Sequence, residues 1–185
     1  MDDGSCGPFR PGAEFIQQAN AILEIERVHL AHRIPQHDLV LVGGSGIANA
    51  LTKGDVDLHL RVRADDFAQT VTVLRRTHAA VHAEIWQSSL ATFSIKAALP
   101  TGLAVTPAGS EHDLRFTRSW RLLTADPDLL NAYNTMKVQS QGRSTAEYGQ
   151  RKSAFFDMLV RLWSVHPAGA AGSRGRRTGT DPTTS

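Results

Sequence analysis

The chain has 185 residues, 41% of them hydrophobic, enough for one ordinary globular domain with a small helical appendage. Its formal charge of +2 comes from beyond Pro167, where Arg174, Arg176 and Arg177 outweigh Asp181. The neutral body therefore lacks the basic face that broad nucleic-acid binding needs, and this tail could supply only weak, salt-sensitive attraction. Residues 1–12 read as a flexible leader of Gly, Pro and polar residues. Ala13 to about Arg33 has the periodicity of an amphipathic helix, with Ile16, Ala19, Leu23 and Leu30 near one stripe. Asp38 to Ser45 is a nearly continuous apolar run, expected to form a strand buried on both faces.

A short helix is expected from Ile47 to Leu51, then a strand from Asp55 to Val62 and a helix from Ala64 to about Thr77. Phe67, Val71 and Leu74 carry the burial spacing of that helix. Two strands, Ala91 to Leu99 and Leu103 to Thr106, join across Pro100-Thr101-Gly102 as a hairpin. From Glu111 the pattern turns helical: Glu111 to Leu123, Asp128 to about Gln139, and Thr145 to about Val165. Asp126-Pro127-Asp128 separates the first two, because proline is tolerated at a helix start and not inside one. The expected division is a core over 13–110, a helical segment over 111–166 packed on it, and a disordered tail over 167–185. Cys6 is the single cysteine, which excludes an internal disulfide and a cysteine-built zinc site. No apolar run approaches the ~20 residues of a membrane span, and the acidic start is no signal peptide. The expectation is a soluble, cytoplasmic protein with no membrane partner.

The chemistry concentrates in residues 40–62. An apolar strand runs into Gly43-Gly44-Ser45, and Asp55-Val56-Asp57 follows at the start of the next. Residues i and i+2 of a strand share a face, so Asp55 and Asp57 project together while Val56, Leu58, Leu60 and Val62 line the other side. Two such carboxylates suit one or two divalent cations. They are also compatible with a solvated edge face, and His59 and Arg61, which continue that face, are expected to be polar and exposed. The glycines permit close approach of backbone N–H groups to a phosphate, and they serve equally well as a plain turn.

This unit resembles the nucleotidyltransferase superfamily, whose signature is an apolar residue, Gly-Gly or Gly-Ser, a spacer of about ten residues, then Asp-x-Asp. Within that superfamily it is similar to the GrpB-like branch. The further matches are Gly102-Leu103-Ala104-Val105-Thr106, the run Gly109 to Phe116, Arg121, and the pairs Tyr133/Lys137 and Tyr148/Lys152, so the resemblance covers about residues 12–165. The loop departs from many GrpB-like sequences, which carry Pro and a single Asp there; Lys53-Gly54-Asp55-Val56-Asp57 is nearer the general superfamily pattern and favours metal binding. The resemblance implies an α/β (α+β) fold, a small mixed sheet flanked by helices and followed by a C-terminal helical segment.

In function it implies a nucleotidyltransferase that takes an NTP with Mg²⁺ or Mn²⁺ and transfers the nucleotidyl group to an unknown acceptor, releasing pyrophosphate. The alternative is a non-catalytic nucleotide-binding or regulatory module on the same fold. Asp55 and Asp57 would hold the metal, and Gly43, Gly44 and Ser45 the phosphates, Ser45 through its hydroxyl. Lys137 and Lys152 would reach the triphosphate, or stand as snorkelling lysines beside tyrosines at the edge of the core. Superfamily members usually carry a third carboxylate on a neighbouring strand, and neither strand over 91–106 has one. Asp113, in Ser110-Glu111-His112-Asp113, is the preferred third acid, with His112 an outside candidate for a base. The same tetrad reads equally as a capped helix start.

Overall fold

The computed structural model describes residues 8–165. Cys6, most of the expected leader and the arginine tail lie outside the described residues. Strands β1 (Arg10–Pro11), β2 (His37–Val42), β3 (Leu51–Thr52), β4 (Val56–Val62), β5 (Ala79–Ala80), β6 (Ala91–Ile95) and β7 (Thr101–Pro107) are joined by helices α1 (Ile16–Ala31), after β1, and α2 (Phe67–Leu74), after β4, and followed by helices α3 (Glu111–Ala125), α4 (Pro127–Val138) and α5 (Thr145–Val165). Five strands form one mixed sheet in the order β2-β4-β7-β6-β5, in which β4 and β7 are parallel and the other pairs antiparallel. β1 and β3 form a separate antiparallel pair. The expected fold class, a small mixed sheet flanked by helices with a C-terminal helical segment, is the one observed.

Strand alternation divides the sheet between two cores. Val56, Leu58, Leu60 and Val62 of β4 point to the side covered by α1 and α2, where they meet Leu23, Leu30, Leu74, Phe93 and Leu103. The other side is closed by α3, α4 and α5, which pack Trp120, Leu123, Tyr133, Phe156 and Leu159 against Val42. β2 is therefore sandwiched but lies at the sheet edge; Leu39 and Val42 are buried, while Val40 and Leu41 are half-buried. His59, expected on a polar exposed face, is fully buried, because α3 lies over this half of β4 and brings Phe116 to a 5.0 Å ring contact.

Local signals start α3 and α4 where the sequence predicts. The Ser110 hydroxyl accepts from the Asp113 N–H at 3.3 Å and caps α3. Asp126 caps α4, accepting from Asp128 N and Leu129 N at 2.9 and 3.2 Å, with Pro127 in the first turn. Other expectations fail: β6 stops at Ile95 and β7 starts at Thr101, so residues 96–100, and not Pro100-Thr101-Gly102, join the hairpin. The helix over 47–51 does not form, and residues 10–12 are not loose. Gly44–Gly46 make one 3₁₀ turn, Ile47 is extended, and Leu51–Thr52 pair as β3 with Arg10–Pro11. Carbonyls that a helix would use internally instead accept from the N-terminal segment, Ala50 from Gly12 N at 2.7 Å and Ala48 from Ala13 N at 2.9 Å.

Candidate functional site

The chain leaving β2 must reverse quickly to re-enter as β4, and glycine makes this possible. Gly43 sits at φ +86°, a conformation open to glycine and strained for other residues. A Cβ there would come 2.5 Å from an Asp57 carboxylate oxygen, so the Gly43 backbone lies directly against that side chain. Gly44 is pressed differently: its missing Cβ would meet the Leu51 carbonyl oxygen at 2.7 Å, Thr52 at 3.1 Å and Lys137 Nζ at 3.2 Å. The tightness at Gly44 is therefore toward the protein's own backbone. Ser45 is fully buried, its hydroxyl donating to the Asp55 carbonyl and lying 3.0 Å from the Thr52 hydroxyl. It braces the loop from within.

Asp55 and Asp57 stand on adjacent same-side positions, as expected, although β4 begins at Val56 and Asp55 belongs to the turn before it. Asp55 is exposed and Asp57 half-buried. The Thr52 hydroxyl donates to Asp55 Oδ1 at 3.2 Å and orients it. Burial raises the Asp57 carboxyl above its usual range and the Asp55 charge adds to this; the Lys152 and Lys137 ammonium groups oppose it.

Two helices bring cations to these carboxylates. Lys137 of α4 is buried: its ammonium donates to the Leu51 carbonyl and lies 4.4 Å from the centre of the Tyr133 ring. Lys152 of α5 is half-buried. Burial pulls its ammonium down, but Asp57, then Tyr148 and Asp55, outweigh this and hold it above the usual range. Asp55, Asp57, Lys137 and Lys152 line one small polar cavity together with Gly44, Lys53 and Tyr148. Asp55, Asp57 and Lys152 also line a second, larger cavity of about 830 Å³. Its volume follows from small residues on this face of the sheet, Thr92, Ser94, Gly102 and Ala104, set against Phe116, Trp120 and Phe156 from the helices.

The structure does not bring Asp113 to this site. Asp113 is fully buried at the start of α3, beside the far end of β4. Arg61 donates Nε to Oδ1 at 2.6 Å and Nη2 to Oδ2 at 3.1 Å, and Gly109 N donates to Oδ2 at 2.7 Å. Burial raises the Asp113 carboxyl, but these bonds prevail and hold it below its usual range. Asp57 and Arg61 are four positions apart on one strand, about 13 Å, so Asp113 belongs to a structural ion pair. His112 is likewise elsewhere, its Nδ1 3.0 Å from the Ser89 hydroxyl. The β7 partner of Asp57 is Gly102 and the next across is Ser94. Among the described residues lining the two cavities, Asp55 and Asp57 are the only carboxylates.

Asn134 is a residue that the sequence reading misses. From α4 it accepts from Leu51 N and donates to the Asn49 carbonyl, both at 2.8 Å, clamping the loop behind the aspartates. Its place three residues before Lys137, on that lysine's helix face, is the only local signal. Phe9 also closes over the site, 5.7 Å from the Tyr148 ring and 5.7 Å from Lys137 Nζ.

No protein-family model matches the chain. It is 25% identical over 134 residues to a UPF0157 protein of Vibrio cholerae, covering 72% of this chain and 71% of that protein. Its structure is similar to that of the conserved protein GrpB from Enterococcus faecalis, with a TM-score of 0.62 and 16% identity, covering 83% of this chain and 93% of the other. A chain of the GLD-2/RNP-8 complex superposes with a TM-score of 0.53 and 13% identity, covering 93% of this chain and 73% of that one. The fold is nucleotidyltransferase-like, and the GrpB-like resemblance read from the motifs is matched in sequence and in architecture.

Proposed function

We propose that this GrpB-like chain binds a nucleoside triphosphate together with Mg²⁺ or Mn²⁺ and transfers the nucleotidyl group to a hydroxyl acceptor, releasing pyrophosphate. The observation that carries the reading is the convergence of Asp55, Asp57, Lys137 and Lys152 on one cavity under the Gly43–Gly44 turn. The donor set fits such a cation: Asp55 and Asp57 offer hard oxygen ligands to one cavity. Bound there, the ion would neutralise the triphosphate and charge developing on the leaving pyrophosphate.

The residues of the chain do the rest by positioning. Lys137, fixed by its bond to the Leu51 carbonyl, and Lys152, poised across from Asp57, would draw the phosphate chain against the turn. Phe116, Trp120 and Phe156 give the larger cavity apolar surface for a base or acceptor and exclude water there. Transfer of this kind draws most of its rate from positioning and electrostatics.

A second reading has its own support. With Gly102 opposite Asp57 and Asp113 held by Arg61, no third carboxylate lines the cavities among the described residues. This favours nucleotide binding without transfer. Binding of the four NTPs and pyrophosphate release, measured with Mg²⁺ and a panel of hydroxyl acceptors (small alcohols, sugar phosphates, protein and RNA ends) on wild type and Asp57→Asn, tests both. Metal-dependent pyrophosphate release that disappears in Asp57→Asn is the expected result. Binding without release moves the function to the second reading, and the absence of NTP binding overturns both.

A further inference from the structure

A second cluster of ligating side chains lies on the α1 and α2 side of the sheet, away from the aspartates. Glu26 and His29 are one turn apart on α1, so they share a helix face. His78 follows α2 and packs edge-on against Phe93 of the core at 6.3 Å. His78 Nε2 is 2.9 Å from Glu26 Oε1, and His29 Nδ1 is 3.4 Å from Glu26 Oε2. One ligand atom from each of the three lies within 4.8 Å of the others.

Glu26 is the anomaly. A glutamate side chain only 4% exposed ordinarily has an arginine or lysine against it or coordinates a metal. The partners of Glu26 are instead two imidazoles, of which His78 is 3% exposed and His29 39% exposed. The three line a cavity of about 540 Å³ with Thr77, Ser94 and Ile95. Lys96 also lines it but is exposed, so water screens its charge.

We propose that Glu26, His29 and His78 form a site for a divalent transition-metal ion of the zinc class, independent of the nucleotide site. Two imidazoles and one carboxylate suit that class, and the half-exposed side at His29 leaves room for a water or an exogenous ligand in the fourth position. An outer partner is already in place. The Thr77 hydroxyl is 2.8 Å from His78 Nδ1 and 3.4 Å from the Leu74 carbonyl. When Nε2 holds the metal, Nδ1–H donates to this hydroxyl, which in turn donates a hydrogen bond to the Leu74 carbonyl; in the metal-free state the hydroxyl can donate to Nδ1 instead. Ligand atoms around tetrahedral zinc sit about 3.4 Å apart, a closure the exposed His29 ring can supply by rotation.

The test is titration of the metal-stripped chain with Zn²⁺ by calorimetry and with Co²⁺ by visible absorbance, in excess Mg²⁺ to occupy the aspartate site. One equivalent of Zn²⁺ and a cobalt d–d band are expected, together with a Zn²⁺-dependent rise in Tm. Asp55→Asn/Asp57→Asn keeps all three. His29→Ala, which alters a half-exposed side chain and leaves the fold intact, weakens the metal at least tenfold, and His78→Ala removes it. Unchanged affinity in folded His29→Ala, or no cobalt band in wild type, overturns the proposal.

Discussion

Asp57 faces two opposing demands, and the balance sets how the site behaves. Burial and the Asp55 charge push its carboxyl up, while Lys152 and Lys137 pull it down. Lys152→Ala removes one of these opposing charges and also one proposed phosphate contact. The expected result is a loss of NTP affinity of ~1–3 kcal/mol, the scale of a charge-assisted hydrogen bond, with a smaller loss for the monophosphate. Equal small losses for both ligands would return Lys152 to a purely electrostatic neighbour of Asp57. His59 makes a different residue-scale prediction. Burial lowers its imidazole to about 4, the Asp113 charge opposing this and Arg61 adding to it, so the folded protein holds it neutral. The unfolded chain protonates it near its ordinary value, so this contribution to stability is complete above that value and is lost as pH falls toward 4. Between pH 7 and 5 the loss is about 2 kcal/mol, and urea midpoints should show a flatter pH dependence in His59→Gln. The aspartate pair was legible from strand spacing, and the place of Lys137 and Lys152 beside it only from the family pattern, since spacing sets each lysine by a tyrosine on its own helix. The depth of His59 and the pairing of Asp113 were not: spacing names a face, but the cover over His59 and the Arg61 that claims Asp113 come from distant segments.

The turn between β2 and β4 is one element held from three directions: by the β1–β3 pair, by Asn134 and by Lys137. Its glycines therefore differ in consequence. Gly44→Ala drives a methyl group toward the Leu51 carbonyl and Thr52, so the loop must shift and stability falls. Gly43→Ala keeps a positive φ that costs ~1–2 kcal/mol for a side-chain-bearing residue and pushes on Asp57. The expected outcome for Gly43→Ala is weakened Mg²⁺-NTP binding beyond what its lost stability explains; Gly44→Ala should lose stability foremost. Urea unfolding and calorimetry on both variants check this, and unchanged NTP affinity in Gly43→Ala would reduce the turn to scaffolding. That a tight glycine turn precedes the aspartates was readable from Gly43-Gly44-Ser45. That no helix follows was not, because the Ala48 and Ala50 carbonyls are claimed by residues 12 and 13 from far upstream.

Across the whole molecule, the sheet has no face that either helical layer could abandon. Without α3–α5, His59 and Val42 would meet water and Arg61 would lose Asp113; without α1 and α2, the continuous row Val56, Leu58, Leu60 and Val62 would be exposed. The N-terminal strap adds a crosslink, since residues 10–11 pair with β3 while Phe9 lies against Tyr148 of α5. The cleft is assembled from both parts, so carboxylates of the core and lysines of the helices are positioned only in the complete fold. This architecture predicts one cooperative unfolding transition. Tryptophans report on each side: Trp86 contacts Phe93 at 5.3 Å in the α1–α2 core, and Trp120 contacts Phe156 at 5.4 Å in the other. Variants that keep only Trp86 or only Trp120, the others replaced by Phe, should lose Mg²⁺-NTP binding and native fluorescence together along a urea titration. Each variant has its own midpoint, and within each the fluorescence transition must coincide with far-ultraviolet circular dichroism. A fluorescence change at Trp120 that precedes loss of secondary structure would mean the helical layer detaches first, and the cleft would then open without unfolding the core.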